Sequence, residues 1–220
     1  MRSVPDNTTL YRFLRPLDET VVTRTLNETV HGIPLPGPRR RTSVAVDATG
    51  LSPGAILTFF VLRMFDHNQQ PMPWRHWLKW LLAVDLDCQL VLTQEAHAGP
   101  TNDGANLRPL VDAAHTVSAI GLVLADAEFD RELNHTHIGQ RLGARSIIPT
   151  KRGKKTWCIH GVRAAMRDYF PRRLYRGRFL VESIFSAAKR KLSCRAPGRC
   201  LLTHRRQAML LGLTFNLDPP

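Results

Sequence analysis

The stretch Ile120-Gly-Leu-Val-Leu-Ala-Asp126 decides the fold class of this chain. It is a short apolar run that ends in a carboxylate, and such a run between helical patterns predicts a buried β-strand. An aspartate directly after such a strand either faces solvent at the strand end or lies in a functional site, because burying an unpaired carboxylate is costly. The stretch therefore predicts both a sheet and a candidate site residue, Asp126.

A second apolar stretch of the same kind occurs near the beginning of the chain. Ser43-Val-Ala-Val-Asp47 predicts a strand that ends at Asp47 and is followed by a Thr-Gly turn. Asp85 and Asp87 are alternatives to Asp47, since they also follow an apolar run. They lie between two predicted strands, however, which favours a hairpin-turn role for them. Asp47 is therefore the preferred partner of Asp126.

The order of the predicted elements indicates the architecture. The strand at Asp47 and the two strands around Asp85 can form a meander, and helices and strands alternate after them. This order is typical of a ribonuclease-H-like mixed sheet flanked by helices, so we predict an α/β fold. The other predicted elements are strands over Trp80–Val84, Gln89–Thr93 and Ser146–Pro149, helices over Ala105–His115 with Asp103 as its cap, Asp130–Leu142 and Leu201–Leu213, and a helix or buried connection over Ala55–Phe65.

Residues 1–40 differ in pattern from the rest of the chain. Two short helices are predicted there, the first capped by Asp6 and the second beginning at Glu19. They could form part of a helix-turn-helix or an ordinary helical hairpin. The segment Gly32–Arg41 is rich in Pro and Gly and then basic, which is typical of a linker. We therefore predict an N-terminal helical segment over residues 1–40 and a ribonuclease-H-like domain over residues 41–220.

Positive charge is concentrated in one part of the sequence. Lys and Arg number 31 against 18 Asp and Glu, for a net charge of +13. Residues 151–206 hold 17 basic and 2 acidic side chains, whereas residues 1–150 are almost neutral. A basic block of this size attracts polyanions through counterion release, and nucleic acid is the commonest such partner in the cytosol. A solvated basic face is the alternative interpretation.

Other features of the sequence exclude several classes of protein. The longest apolar run, around Ala55–Leu62, is much shorter than the roughly 20 residues that a membrane span needs, and the N-terminus lacks a signal-peptide pattern. We expect a cytoplasmic, nucleoid-associated protein with reduced cysteines and no membrane partner. The spacings of Cys158, Cys194 and Cys200 are not those of common zinc fingers. No Ser or Cys lies in a recognisable nucleophile motif, which disfavours a hydrolase of that type.

Glu182 is one of the two acids in the basic block, and a surface-solubilising role explains it poorly. A long helix is predicted from about Tyr175 to Leu192. On that helix Tyr175, Arg178, Glu182 and Lys189 share a polar face, separate from an apolar stripe that would pack on the sheet. A helical salt bridge between Arg178 and Glu182 is an alternative explanation, but it leaves Tyr175 and Lys189 unexplained.

The spacing Tyr175-x2-Arg178-x3-Glu182-x6-Lys189 resembles the Tyr-Arg-Glu-Lys signature of bacterial insertion-sequence transposases of the DDE class. All four positions have the family's spacing. Val44–Gly50 is similar to the family's first-Asp strand, and Leu124–Asp130 is similar to its second. The resemblance extends over nearly the whole chain. Members of the family usually carry a longer N-terminal helical region, which recognises terminal inverted repeats, than the roughly 40 residues that precede the first strand here.

The resemblance implies a metal-dependent catalytic site. Its catalytic residues would be Asp47, Asp126 and Glu182, which would also hold two Mg²⁺ or Mn²⁺ ions. Two such ions can serve an in-line displacement at phosphorus, one at the attacking oxygen and one at the leaving oxygen. No covalent enzyme intermediate is then required.

The resemblance also implies which residues and molecules meet at the site. Arg178 and Lys189 would grip phosphates at the transposon end, and Tyr175 would stack on or hydrogen-bond to the same DNA. Lys151 and Arg152 belong to a stretch that also resembles the family, and they are predicted to contact DNA. The partners would be double-stranded DNA, as terminal inverted repeats and as target, and a second copy of the chain, since pairing two ends usually needs at least a dimer.

Three functions are compatible with these patterns. The favoured hypothesis is a transposase that cleaves DNA at transposon ends and transfers the strand into target DNA. An inactive or truncated derivative that binds DNA as a repressor is the second, and the intact set of three carboxylates argues against it. A ribonuclease-H-like nuclease such as a resolvase is the third, and the basic residues around Glu182 favour the transposase over it.

Overall fold

The computed structural model describes residues 6–33, 41–52, 77–99, 103–151, 159–197 and 200–218. The strands are β1 (Thr42–Leu51), β2 (Leu78–Asp85), β3 (Val91–Ala98), β4 (Ile120–Ala125) and β5 (Arg145–Ile147). The helices are α1 (Asn7–Leu14), α2 (Glu19–Gly32), α3 (Leu107–Val117), α4 (Glu132–Arg141), α5 (Gly161–Asp168), α6 (Arg172–Tyr175), α7 (Phe179–Lys191) and α8 (Leu201–Leu217). No described helix is both long enough and apolar enough to cross a membrane.

The five strands form one mixed sheet in the order β3-β2-β1-β4-β5. β2 is antiparallel to both β1 and β3, whereas β1, β4 and β5 run parallel to one another. In the register of β1 and β4, Val46 lies opposite Ala125, so the next residue on each side is an aspartate. The α/β fold class and the ribonuclease-H-like mixed sheet predicted from the sequence are confirmed.

Helices cover both faces of the sheet and bury it. Val44 and Val46 of β1 point into a core shared with α3 and α4, whereas Ala45 points into a second core shared with α2, α7 and α8. Every residue of β2 is buried, because that strand lies between these two layers. Burial of apolar surface on both faces is the main force that holds β1 and β4 in register beside each other.

The two N-terminal helices begin where the sequence predicts, and an aspartate caps each of them. The Asp6 carboxylate accepts a hydrogen bond from the Thr9 amide (2.7 Å), and Asp18 accepts one from the Thr20 amide (2.9 Å). These bonds satisfy amides that the first turn of a helix leaves without partners. Leu26 of α2 is fully buried in the core with α8. The helix α2 therefore packs directly against the sheet domain.

The predicted Thr-Gly turn after Asp47 is wrong, because β1 continues to Leu51. Thr49 pairs with Trp80 and Gly50 with Lys79, so the antiparallel ladder with β2 extends past the aspartate. Asp47 therefore lies inside a strand and not at its end. The apolar run had indicated only the first half of a strand whose second half is more polar.

The predicted helix from Tyr175 to Leu192 is also wrong at its beginning. The chain forms α6, then a 3₁₀ turn over Arg176–Arg178, and only then α7. At Gly177 an added Cβ would lie 3.2 Å from Leu86 and 3.3 Å from Leu124, so the turn packs closely on the sheet. A continuous helix wheel cannot represent this change of pitch.

One further prediction is wrong, one helix was not predicted, and several predicted features lie outside the described residues. Asp103 does not cap a helix, because it forms an ion pair with Lys79 and α3 begins four residues later. The helix α5 had no counterpart in the sequence analysis. The predicted element Ala55–Phe65, most of the linker and the residues Arg152 and Cys158 lie outside the described residues.

Candidate active site

Asp47 and Asp126 lie side by side at one end of the sheet. Asp47 is in β1, and its Oδ1 accepts a hydrogen bond from the Ala48 amide at 2.8 Å. Asp126 directly follows β4 and caps a 3₁₀ turn, with its Oδ1 accepting from the Ala127 amide at 2.5 Å. Both carboxylates line a cleft of about 520 Å³. Parallel pairing of β1 with β4 brings them together, because the last paired residues, Val46 and Ala125, directly precede the two aspartates.

Burial raises the pKa of Asp47 above its usual value. The Ala48 amide and the positive charge of Arg178 oppose that shift, whereas the negative charges of Asp126 and Glu182 reinforce it. The three carboxylates predicted from the sequence thus influence one another electrostatically. The side chain of Asp47 is 16% exposed, whereas that of Glu182 is 47% exposed, so Asp47 is the more enclosed of the two carboxylates that contact Arg178.

Arg178 connects two of the three carboxylates. Its Nη1 donates to Asp47 Oδ2 at 2.8 Å, and its Nη2 donates to Glu182 Oε1 at 2.5 Å. The side chain of Arg178 is only 11% exposed. The salt bridge between Arg178 and Glu182, which the sequence left open as an alternative, is present, and the guanidinium extends beyond it to β1.

Tyr175 holds the other side of this guanidinium. The Arg178 guanidinium carbon lies 5.8 Å from the centre of the Tyr175 ring, which packs edge-on against Phe170 at 4.9 Å between ring centres. Burial raises the pKa of the Tyr175 hydroxyl. An aromatic face within about 6 Å attracts a cation. Tyr175 therefore helps to fix Arg178 between the carboxylates.

Lys189 joins α7 to β1 on the other side of Asp47. Its Nζ donates to Thr49 Oγ1 at 2.6 Å, and burial lowers its pKa. The side chain lines the same cleft as Asp47 and Asp126. The structure thus brings Tyr175, Arg178, Glu182 and Lys189 to one site, as the polar face predicted, although through a turn followed by a helix.

Lys151 lies in a loop that a buried ion pair supports. Its backbone amide donates to Asp130 Oδ2 at 2.8 Å, and Arg163 donates to both oxygens of Asp130 at 2.7 Å each. Burial raises the pKa of Asp130, but hydrogen bonds from His135, Arg163 and the loop amide outweigh it and leave the pKa well below the usual value. The Lys151 side chain is exposed, so the network holds the backbone beneath it.

Sequence reasoning missed a second polar group in the cleft. Lys79 and Asp103 form a buried ion pair, and both line the cleft together with Glu128. A hydrogen bond with Asp103 is the largest cause that raises the pKa of Glu128. The signal was available, because a lysine inside the apolar strand Leu78–Asp85 needs a partner when it is buried.

The donor chemistry of the three carboxylates fits a hard divalent ion, since Mg²⁺ and Mn²⁺ prefer oxygen ligands. In the part of the chain that the structure describes, however, no three His, Cys, Asp or Glu side chains are grouped tightly enough to hold a metal ion. Arg178 instead stands between Asp47 and Glu182 and supplies the positive charge that they need. In this conformation the Arg178 guanidinium balances negative charge on Asp47 and Glu182.

A comparison with protein families places these residues in a known context. The family model described as Transposase DDE domain matches residues 38–217. That range contains the whole sheet and all of the site residues described above. A comparison with curated proteins finds no match.

Proposed function

This chain belongs to the transposase DDE domain family, and from that premise we propose that it is a metal-dependent enzyme that cleaves DNA at transposon ends and transfers the strand into target DNA. The observation that carries the proposal is the pairing of β1 with β4. It sets Asp47 beside Asp126, and Arg178 joins Asp47 to Glu182 of α7.

In this proposal Asp47, Asp126 and Glu182 hold two Mg²⁺ or Mn²⁺ ions, which when bound activate the attacking water or 3′-hydroxyl and stabilise the leaving oxygen. Asp47 is suited to the task by its position inside a strand, because the ladder with β2 continues through it and the pairing with β4 reaches the preceding residue, Val46. Asp126 is fixed by its own 3₁₀ turn. The carboxylates thus stand on rigid elements and need little reorganisation.

The basic side chains of the site complete the proposal. Lys189 points into the cleft and would contact a phosphate there, and Arg178 would do so when it leaves a carboxylate. Lys151 would contact the DNA from the neighbouring loop, and Arg152, which lies outside the described residues, is proposed to contact it as well. The proposed partners are double-stranded DNA, as inverted repeats and target, and a second copy of the chain that holds the other end.

The test is a cleavage assay on labelled duplex that carries the inverted repeats flanking the gene, with Mg²⁺ or Mn²⁺. Glu182→Gln and Asp126→Asn are each expected to reduce cleavage and strand transfer by at least about a hundredfold, on the scale at which loss of a catalytic group acts. Asp87→Asn is the matched control. Asp87 is an exposed carboxylate in the β2–β3 turn, and its loss should leave both activities unchanged.

Each alternative function gives a different result in this assay. DNA binding without cleavage by the wild-type protein would favour a repressor derivative. Metal-dependent cleavage without joined products would favour a nuclease of the resolvase type. Equal activity of wild type and Glu182→Gln would remove Glu182 from the site.

A further inference from the structure

Several basic residues of the site are occupied by contacts within the protein. Arg178 is bound to two carboxylates, and Arg163 makes two bonds to the buried Asp130. Arg167 pairs with its neighbour Asp168, and Lys189 donates to Thr49. Their charges are thus largely balanced or engaged. A phosphate backbone approaching the site must find its first positive charges elsewhere.

Three arginines next to the site are in a different situation. Arg172, Arg173 and Arg176 are all exposed, and none of them forms an ion pair or side-chain hydrogen bond with the residues that the structure describes. The two acids closest in sequence are Asp168 and Glu182, and each already has an arginine partner. We call Arg172, Arg173 and Arg176 the arginine surface.

The segment that carries the arginine surface is attached firmly to the sheet beside Asp126. Tyr175 and Phe170 pack against a small core that contains Leu124 of β4 and Ile147 of β5. Gly177 also lies against Leu124, two residues before Asp126. The arginine surface is therefore held at the border of the carboxylate site.

Exposed apolar side chains lie among these arginines. Leu174 is 47% exposed, and Tyr169 is 85% exposed, which is the largest exposed fraction among the large apolar side chains that the structure describes. Exposed aromatic rings among arginines are a common feature of nucleic-acid surfaces, where the ring contacts a base or sugar and the guanidinium binds phosphate. An acidic protein partner would meet the charges but would not account for the position beside Asp126.

We propose that the arginine surface binds the phosphate backbone of double-stranded DNA and guides it to Asp126, with Tyr169 contacting the same duplex. This inference rests on the proposed function, because it assigns the approach surface of that site. It also shifts the first phosphate contacts from Arg178 and Lys189 to residues outside the Tyr-Arg-Glu-Lys spacing. The remaining basic residues then act once the duplex is in place.

The test compares two triple variants with the same change in net charge. The first is Arg172→Gln, Arg173→Gln and Arg176→Gln, and the matched control is Arg41→Gln, Arg141→Gln and Arg145→Gln, three exposed arginines that lie before β1, at the end of α4 and at the beginning of β5. Binding to a fluorescent duplex is measured by anisotropy without divalent metal, at salt concentrations from about 50 to about 200 mM. Circular dichroism checks that both variants are folded.

The first variant should bind at least about tenfold more weakly at low salt, and its salt slope should fall by about 2 to 3, since each phosphate contact contributes about 0.9. The control should change affinity less than about twofold. Equal losses in both variants, or no loss in the first, would overturn the proposal. This assay contains no metal and does not measure cleavage. If the protein binds DNA through the arginine surface but does not cleave it in the cleavage assay, only the proposed function is contradicted.

Discussion

The position of Arg178 between two carboxylates predicts that it competes with divalent metal in the absence of DNA. The perturbation is Arg178→Gln, which removes the charge but keeps a hydrogen-bonding side chain. Arg178→Lys is the comparison, because it retains the positive charge. The variant with glutamine should bind Mn²⁺ more tightly than wild type, whereas the variant with lysine should remain close to wild type.

The magnitude follows from the two contacts. At an effective dielectric constant of about 20, opposite charges about 4 Å apart attract by roughly 4 kcal/mol. Glu182 is about half exposed, so its contact with Arg178 contributes at most about 1 kcal/mol. The contact with Asp47 is more enclosed and contributes more. If metal binding must release even part of this attraction, removing it should strengthen Mn²⁺ binding about tenfold, which corresponds to about 1.4 kcal/mol.

The assay is a titration of the DNA-free protein with Mn²⁺, followed by electron paramagnetic resonance of the free ion. Asp47→Asn in the same series should bind Mn²⁺ more weakly, because it removes a ligand. The reasoning is refuted if Arg178→Gln binds Mn²⁺ no more tightly than wild type while its thermal unfolding shows that it is folded. It is also refuted if Arg178→Lys gains the same affinity, because charge would then not be the cause.

Three other predictions concern stability. Asp130→Asn should lower the free energy of unfolding at pH 7 by about 3 kcal/mol, because it breaks a buried ion pair. Since folding lowers the pKa of Asp130, the difference between the two proteins in urea titrations should shrink as the pH falls below about 4. The control Asp112→Asn, at a more exposed carboxylate, should lose less than about 1 kcal/mol. Gly212→Ala should destabilise the protein by about 1 to 3 kcal/mol, because the new Cβ would clash with the side-chain amide of Gln94. Gly139→Ala, with nothing within 4 Å of the new Cβ, should stabilise α4 by up to about 1 kcal/mol. Equal melting temperatures of the two variants would contradict this. Asp47→Asn should raise the free energy of unfolding at pH 7, because burial raises the pKa of Asp47 and disfavours its ionised form in the folded protein. This gain in stability should vanish below about pH 4, where the carboxyl is protonated in both the folded and the unfolded state. A gain that persists at that pH would argue against a charge effect.

The sequence was informative where a residue contrasts with its immediate neighbours in the chain. Asp126 was singled out because it follows an apolar strand, and Glu182 because it lies in a block of bases; in the structure both act electrostatically on Asp47. The mixed-sheet architecture was also accessible, because the order of predicted strands and helices along the chain restricts it to few topologies. Each of these signals is local, so it can be recognised in the sequence without knowing the tertiary contacts.

The interior position of Asp47 and the break before α7 were not accessible in the same way. The strand β1 continues because β2 is long enough to pair with Thr49 and Gly50, and that length is a property of another segment. The 3₁₀ turn at Arg176–Arg178 exists because Gly177 packs on Leu86 and Leu124. Helix propensity and spacing are read within one segment, so they could not reveal either contact.

The route by which Arg178 reaches Asp47 shows why this difference matters for the site. A continuous helix through Tyr175 and Glu182 would predict only the local pair of Arg178 with Glu182. The pair with Asp47 links α7 to β1 and closes a path from the aromatic Tyr175 to the central strand. A substitution at Tyr175 should therefore act on the carboxylates through Arg178, without any contact of its own with metal. In this site the arginine partly offsets the effect of burial on Asp47, and the turn before α7 positions the arginine.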